Sequence, residues 1–187
     1  MSARFTFHST PLAGLTLLDR KPISDERGFL ERLFCSDEFA AMGIQLPVRQ
    51  VNRTLTRRKG TVRGMHFQFP PHAETKLVTC LAGKVFDVAI DLRKGSPTFL
   101  KWHGEELSAV NHRSVLIPAG FAHGLQTLDD DCELLYVHSA AYAAEAEGGI
   151  HPREPKIGVA WPLAIAEISV RDRSHPSLPP DFQGLSL

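Results

Sequence analysis

The sequence predicts an all-β fold of the sandwich or barrel type, and three observations lead to this prediction. Short runs of alternating or β-branched apolar residues recur through the middle of the chain. Clusters of Gly, Pro and Asp separate these runs, as at 93–97 and 128–133. The chain has 187 residues, which is enough for one domain with a substantial core and short for two. We therefore expect a single domain over residues 1–187, built mainly from closely spaced strands.

The strands are predicted from alternation. In the segment 84–93, apolar side chains alternate with polar or small ones, which predicts one dry face and one polar face. The dry face would hold Phe86, Val88, Ile90 and Leu92, and the polar face Asp87, Ala89 and Asp91. We expect both aspartates to be structural rather than catalytic. Further strands are predicted at 76–83, 113–120 and 132–139, and in 63–68, where His66 interrupts an otherwise apolar run.

One short peripheral helix is predicted over residues 36–43. Ser36 can cap its start, two acidic residues follow in the first turn, and Gly43 can end it. The tail from Pro152 is rich in proline and mixed in pattern. We expect loops and one short helix there, packed on the barrel.

Composition excludes several classes of partner. Lys+Arg and Asp+Glu both total 21, so net charge indicates neither nucleic acid nor a membrane. The sequence shows no secretory leader and no apolar run of about 20 residues, so we expect a cytoplasmic protein. Cys35, Cys80 and Cys132 form no CxxC pair, which predicts neither a disulfide framework nor a thiolate metal site.

Charge is concentrated in one place. Six cations and no acid fall within residues 49–63. This cluster suits a small anion such as a diphosphate, and it contains too few aromatic residues for a nucleic-acid platform. A solvated loop is the alternative. The cations are Arg49, Arg53, Arg57, Arg58, Lys59 and Arg63.

Two histidines lie in patterns typical of one barrel fold. Residues 118–123, PAGFAH, match the PxGxxH pattern of the second cupin motif, which delivers a histidine to the barrel mouth. The first cupin motif supplies HxH and a glutamate as further metal ligands, but Gln68 replaces the second histidine here and Glu74 lies too far along. Because divalent metals in such barrels need three or four nitrogen or oxygen ligands, we expect no metal site.

Several motifs in order make the resemblance specific. They run from about 23 to 172 and comprise DERGFLE (25–31), VRGMHFQ (62–68), the segment 76–99, IPAGFAHG (117–124), ELLYV (133–137), GVAWP (158–162) and SVRD (169–172). In these motifs the chain resembles the dTDP-4-dehydrorhamnose 3,5-epimerase family of the cupin superfamily. The resemblance implies a cupin-type jelly-roll β-barrel with short peripheral helices. It also implies a cofactor-independent isomerase that inverts carbons beside the ketone of a nucleotide-linked 4-keto-6-deoxyhexose.

The resemblance assigns four catalytic residues. Removing a proton beside a ketone needs a base and a group that stabilises the enolate, and inversion needs a proton donor on the opposite face. His66 matches the base, and Asp172 matches the carboxylate that orients it. Lys76 matches the cation at the keto oxygen, and Tyr136 matches the acid on the far face. Without the resemblance, each could equally be a satisfied structural residue.

The resemblance also assigns binding residues. Arg63 and Arg171 match diphosphate contacts, although Arg63 and His66 share one pocket only if the strand is kinked, for which a bulge could sit at Gly64, or if Arg63 lies at the pocket mouth. His123 matches a residue near the keto group. The remaining positions match nucleotide or sugar contacts (Gln50, Asn52 and Tyr142) and an N-terminal segment that reaches the site of the neighbouring subunit in a homodimer (Arg27, Phe29 and Glu31).

The chain departs from the family pattern beside Tyr136 and on the nucleotide side. Val137 stands where the family typically has lysine, HSAAY (138–142) replaces a more polar and aromatic run, and VNRTLTRRKG (51–60) is unusual. Three alternatives therefore stay open: a 3,5-epimerase, a single-site 3- or 5-epimerase of a related nucleotide sugar, and a sugar-binding or metal-dependent cupin.

Overall fold

The computed structural model describes residues 3–187, which contain fourteen strands and two short α-helices. The helices are α1 (Ser36–Ala40) and α2 (Val170–Arg173), and a 3-10 turn covers Ala144–Ala146. The strands are β1 (Phe5–Ser9), β2 (Thr16–Arg20), β3 (Ile23–Asp25), β4 (Gly28–Leu30), β5 (Gln50–Thr56), β6 (Thr61–Gln68), β7 (Lys76–Ala82), β8 (Lys84–Asp91), β9 (Trp102–Ser108), β10 (Arg113–Ile117), β11 (Phe121–Thr127), β12 (Cys132–His138), β13 (Glu147–Gly149) and β14 (Glu167–Ile168).

The strands form two large sheets. The first sheet has the order β1-β2-β10-β7-β12-β5 and is antiparallel. The second has the order β13-β6-β11-β8-β9, and the short β14 joins β6 in parallel. A separate hairpin consists of β3 and β4. The predicted jelly-roll architecture is confirmed, as are the strands expected in segments 63–68, 76–83, 84–93, 113–120 and 132–139.

Three apolar clusters show how the layers stack. One lies between the sheets and combines Val78 of β7 with Leu125 of β11. Another covers the outer face of the second sheet, where Ile90 packs against Leu178 of the C-terminal tail. The third covers the outer face of the first sheet through Phe39 of α1. The central strands of both sheets are therefore covered on two faces, and polar side chains that point between the sheets are enclosed in protein.

The polar face of strand β8 is buried. Asp87 and Asp91 are 3% and 0% exposed, because this face lines the barrel interior rather than solvent. The apolar face of β8 packs against the C-terminal tail. Asp91 is structural, as expected, since it accepts hydrogen bonds from Arg93, Ser96 and Thr98. Burial opposes its charge, but these donors outweigh burial and lower the pKa of Asp91 to about 2.

Helix α1 begins at Ser36, the residue that was predicted to be its N-cap, and thus starts one residue earlier than expected. Cys35 occupies the N-cap position and makes no side-chain capping bond, so the assignment of Ser36 as the cap is wrong. The Phe39 N–H donates to the carbonyl of Cys35, and the Phe39 ring is fully buried against Phe5 and Phe34. Burial of this ring sets where the helix starts. Gly43, at φ +75°, lies in the turn that ends it, as predicted.

The C-terminal tail consists of loops and one short helix, which confirms the prediction, and adds the unpredicted β14. Ser169 caps α2 by accepting a hydrogen bond from the Asp172 N–H at 3.0 Å. This cap fixes the direction in which Asp172 enters the barrel. Within residues 3–187, none of the helices has the length and apolar character that a membrane crossing requires.

Candidate active site

A cavity of about 830 Å³ opens between the two sheets at one end of the barrel. Its walls come from β5, β7 and β12 of the first sheet and from β6 and β11 of the second, and α2 closes one side. Most of the predicted site residues line it. These are Gln50, Asn52, Arg63, His66, Lys76, His123, Tyr136, Tyr142, Arg171 and Asp172.

His66 and Asp172 form a dyad across 106 positions of sequence. His66 Nε2 lies 2.8 Å from Asp172 Oδ1, and the Gly64 N–H donates to the other carboxylate oxygen at 3.0 Å. The aspartate is 4% exposed, whereas the histidine is 26% exposed toward the cavity. An ionised carboxylate only accepts hydrogen bonds, so the hydrogen of this pair belongs on Nε2. The neutral ring then keeps its lone pair on Nδ1, and this nitrogen can act as a base.

Asp172 stays ionised because its partners outweigh its burial. Burial raises the pKa of this carboxyl, but the hydrogen bonds from His66 and from the Gly64 N–H, with the charge of Arg171, lower it well below its ordinary value. The dyad therefore has the geometry of a general base with an orienting carboxylate.

The backbone conformation at Gly64 allows Arg63 and His66 to line the same cavity. Gly64 has φ +124°, and a Cβ there would lie 2.6 Å from the Cα of Gly124. The register between β6 and β11 shifts at this point, so the predicted irregularity is confirmed. Arg63 and His66 both line the cavity as a result, and Arg63 Nε donates to Thr56 Oγ1 at 2.8 Å.

The opposite wall carries Tyr136 on β12 and Lys76 on β7. Burial, followed by the charge of Asp87, raises the pKa of the Tyr136 phenol, so the group keeps its proton. Lys76 Nζ lies 3.2 Å from Glu74 Oε1 and 3.5 Å from the carbonyl of His66. A protonated phenol and the Lys76 side chain thus face His66 from the other sheet.

His123 extends from β11 beside these groups. Its Nε2 lies 2.8 Å from Asp87 Oδ2, and its ring meets that of Tyr136 edge to face at 6.0 Å. Asp87 therefore holds His123, which agrees with the expected structural role for this aspartate. The pair adds a second polar group near the centre of the cavity.

The expected binding residues divide into two groups. Gln50 accepts a hydrogen bond from the Tyr142 N–H at 2.9 Å, and the Tyr142 hydroxyl and Arg171 both donate to Glu147 at the cavity rim. Arg27, Phe29 and Glu31 do not line this cavity. Arg27 and Phe29 lie in the β3–β4 hairpin, and Glu31 directly follows it, held by Arg20 Nε at 2.9 Å and His112 Nδ1 at 2.7 Å.

The basic segment contributes part of its charge to the cavity. Arg57, Arg58 and Arg63 line it, whereas Arg53 pairs with Glu133 on the neighbouring strand. Together with Arg171, these side chains make one side of the opening cationic. That side can accept an anionic group such as a diphosphate.

Two cavity residues were missed by sequence reasoning. The sequence patterns indicate Glu74 only as a misplaced metal ligand and assign no role to His138. His138 Nδ1 lies 2.8 Å from Glu74 Oε2, and both side chains line the cavity. The alternation of β12, which places His138 on the face of Tyr136, was the signal that could have identified it.

One group of side chains has metal-ligand character. Ligand atoms of His66, Asp172 and His175 all lie within 4.8 Å of one another. Arg171 competes for this position, because its Nη2 is 3.0 Å from His66 Nε2 and its Nε is 3.4 Å from Asp172 Oδ1. The guanidinium thus supplies the positive charge beside the dyad, which disfavours a cation there.

Residues 9–179 match the family model described as dTDP-4-dehydrorhamnose 3,5-epimerase. The chain belongs to this family. It is therefore an isomerase that acts on dTDP-linked 4-keto-6-deoxysugars, and the predicted family and enzyme class are confirmed. Membership in this epimerase family argues against the alternative of a non-catalytic or metal-dependent cupin.

Comparisons with individual proteins support the assignment. The epimerase is 40% identical to a dTDP-4-dehydrorhamnose 3,5-epimerase of Sinorhizobium fredii, over 95% of this chain and 93% of that protein. A crystal structure of the Bacillus anthracis 3,5-epimerase with TDP and PPi bound superposes with a TM-score of 0.90, at 35% identity, over 93% of this chain and 99% of the other. The structure of ChmJ, a 3'-monoepimerase of Streptomyces bikiniensis, superposes with a TM-score of 0.85 at 33% identity, over 91% of this chain and 86% of that chain.

Proposed function

We propose that this epimerase inverts both carbon 3 and carbon 5 of dTDP-4-dehydro-6-deoxyglucose, giving dTDP-4-dehydrorhamnose. The observation that carries the proposal is the placement of base and acid on opposite walls. His66 extends from β6 of the second sheet and Tyr136 from β12 of the first, and both line one cavity. A sugar ring between them would present one face to a base and the other to a proton donor.

The first step is removal of a proton beside the ketone. His66 Nδ1 takes the proton, the C–H electron pair forms the enolate double bond, and the carbonyl oxygen gains the negative charge. Asp172 stabilises the resulting imidazolium. Lys76 stabilises the enolate oxygen from the first sheet, because its side chain is only 10% exposed and lines the cavity.

The second step returns a proton to the opposite face. Tyr136 donates its phenolic proton to the carbon, the enolate electrons form the new C–H bond, and the ketone is restored with inverted configuration. Solvent restores the proton to the phenolate, and His66 loses its proton to solvent. The same groups act at the second carbon after the sugar shifts in the cavity.

The nucleotide would bind on the cationic side of the opening. Arg57, Arg58, Arg63 and Arg171 offer the charge that a diphosphate needs. Gln50 and Asn52 line the same cavity from β5 and carry amide groups suited to a base or sugar. This supports a dTDP-linked substrate, with the diphosphate as the main electrostatic anchor.

Solvent deuterium tests the number of carbons inverted. In D2O, the wild-type enzyme is expected to place one deuterium at carbon 3 and one at carbon 5 of the product, because each inversion delivers a solvent-derived proton. NMR of the product reads both positions. Deuterium at carbon 3 alone would contradict the proposal and identify a 3-epimerase, the activity named for ChmJ; deuterium at carbon 5 alone would identify a 5-epimerase.

We further propose that the enzyme is a homodimer in which the hairpin β3–β4 reaches the neighbouring subunit. Phe29 and Leu30 are 64% and 70% exposed at the hairpin, an unusual position for two large apolar side chains. Sedimentation is expected to give a dimer for the wild type. The double variant Phe29→Ser, Leu30→Ser should be mainly monomeric, and the same dimer in both proteins would contradict the assignment of this interface.

A further inference from the structure

A further histidine–carboxylate pair lies on the wall opposite His66. His138 Nδ1 is 2.8 Å from Glu74 Oε2, and the other carboxylate oxygen of Glu74 is 3.2 Å from Lys76 Nζ. The three side chains are each about nine-tenths buried, with exposed fractions of 11%, 8% and 10% for His138, Glu74 and Lys76. A glutamate is retained in such a site only when its charge is compensated. Here both oxygens have partners.

The strand register explains why these groups meet. His138 of β12 lies directly opposite Lys76 of β7, so the two side chains are neighbours on the cavity face of the sheet. Glu74 precedes β7 and turns back between them. Burial raises the pKa of the Glu74 carboxyl, but the hydrogen bond from His138 and the charge of Lys76 outweigh burial and lower it. The carboxylate is therefore charged and holds both neighbours.

His138 also contacts the proton donor. Its ring stacks on that of Tyr136, with the centroids 6.0 Å apart and the planes 19° from parallel. Its Nε2 lies 3.4 Å from the Asn52 amide nitrogen, and Asn52 in turn accepts from Gln50 at 3.2 Å. With Nδ1–H donated to Glu74 and Nε2 accepting from Asn52, a neutral imidazole satisfies both contacts.

We propose that Glu74 and His138 are positioning residues for proton return: His138 holds the Tyr136 ring by stacking and holds Lys76 through Glu74, so that the enolate lies within reach of the phenol. This inference deepens the proposed function and rests on its two-wall mechanism. Lys76 contacts the keto oxygen in that mechanism, so its position sets the distance from the reacting carbon to Tyr136. His66 and Asp172 make no direct contact with His138, and proton removal should depend on it less.

The proposal predicts a change in the ratio of two rates. In D2O, proton removal by His66 followed by return from the same side gives exchange without inversion, whereas return from Tyr136 gives inversion. His138→Phe keeps a ring against Tyr136 but removes the donor to Glu74. The ratio of exchange into recovered substrate to inversion is expected to rise about tenfold in this variant, since small displacements from reactive geometry cost rates of that order or more.

The matched control is His138→Asn, whose amide nitrogen can replace Nδ1 as the donor to Glu74. This variant keeps the link to Lys76, so its ratio should rise less than that of His138→Phe; any rise that remains reports the lost stacking on Tyr136. Circular dichroism checks folding of both proteins. If His138→Phe does not fold, His138→Leu removes the donor to Glu74 and is expected to raise the ratio likewise.

An unchanged ratio in the folded variant would overturn the proposal, even if kcat falls, because a purely structural role would slow exchange and inversion together. The result is independent of how many carbons the wild type inverts. Wild-type labelling at one carbon would contradict the 3,5-epimerase assignment, and the ratio would still be measured at that carbon.

Discussion

Replacing His66 by alanine is expected to lower kcat for epimerisation by about 10²–10⁴-fold, the range that a positioned general base contributes. The variant should also stop deuterium exchange at every carbon that the wild type labels, because no other side chain in the dyad can accept the proton. Asp172 is held ionised by its hydrogen bonds and is 4% exposed, so it cannot reach the substrate in place of the imidazole. Initial rates and NMR exchange measurements give both quantities.

The control for this experiment is His8→Ala. His8 lies on β1 at the edge of the first sheet, pairs with Asp19 and does not line the cavity, so its loss should leave activity unchanged. Asp172→Asn is expected to give an intermediate loss, because the amide no longer stabilises an imidazolium. Wild-type-like epimerisation by His66→Ala would refute its assignment as the base.

Replacing Tyr136 by phenylalanine is expected to separate proton exchange from inversion. The hydroxyl is lost while the ring remains, so His66 still removes a proton and returns it to the same face. Inversion should fall by about 10²–10⁴-fold, as for loss of a general acid, while the recovered substrate still acquires deuterium. NMR of the substrate and product pools measures the two processes in one sample.

The raised pKa of Tyr136 adds a pH test. The phenol keeps its proton to higher pH than a free tyrosine, whose pKa is about 10, because burial and the charge of Asp87 disfavour the phenolate. In the wild type, kcat should therefore show no fall near pH 10 from ionisation of this group.

A Tyr136→Phe variant that inverts at the wild-type rate would show that the proton comes from another residue.

Much of the fold was predictable because strand alternation records which faces are buried. The segments 76–83, 84–93 and 132–139 form β7, β8 and β12, and the expected helix lies near 36–43. Alternation predicted the two faces of β8 but not what covers each of them. Asp87 and Asp91 point into the barrel because a second sheet lies opposite. Ser36 was mistaken for a cap because burial of Phe39 moved the helix start.

Ordered motifs in the sequence identify the family, and through the family they predict a base, a cation and an acid. Which distant groups meet depends on the tertiary structure. The Gly64 N–H and His66 converge on Asp172 because β14 pairs with β6 and α2 directly follows β14. Glu74 lies between Lys76 and His138 because β7 pairs with β12, which is far from it in sequence. Local patterns encode which way a side chain points relative to its own strand. Contacts between strands depend on register and bulges, which no single segment specifies.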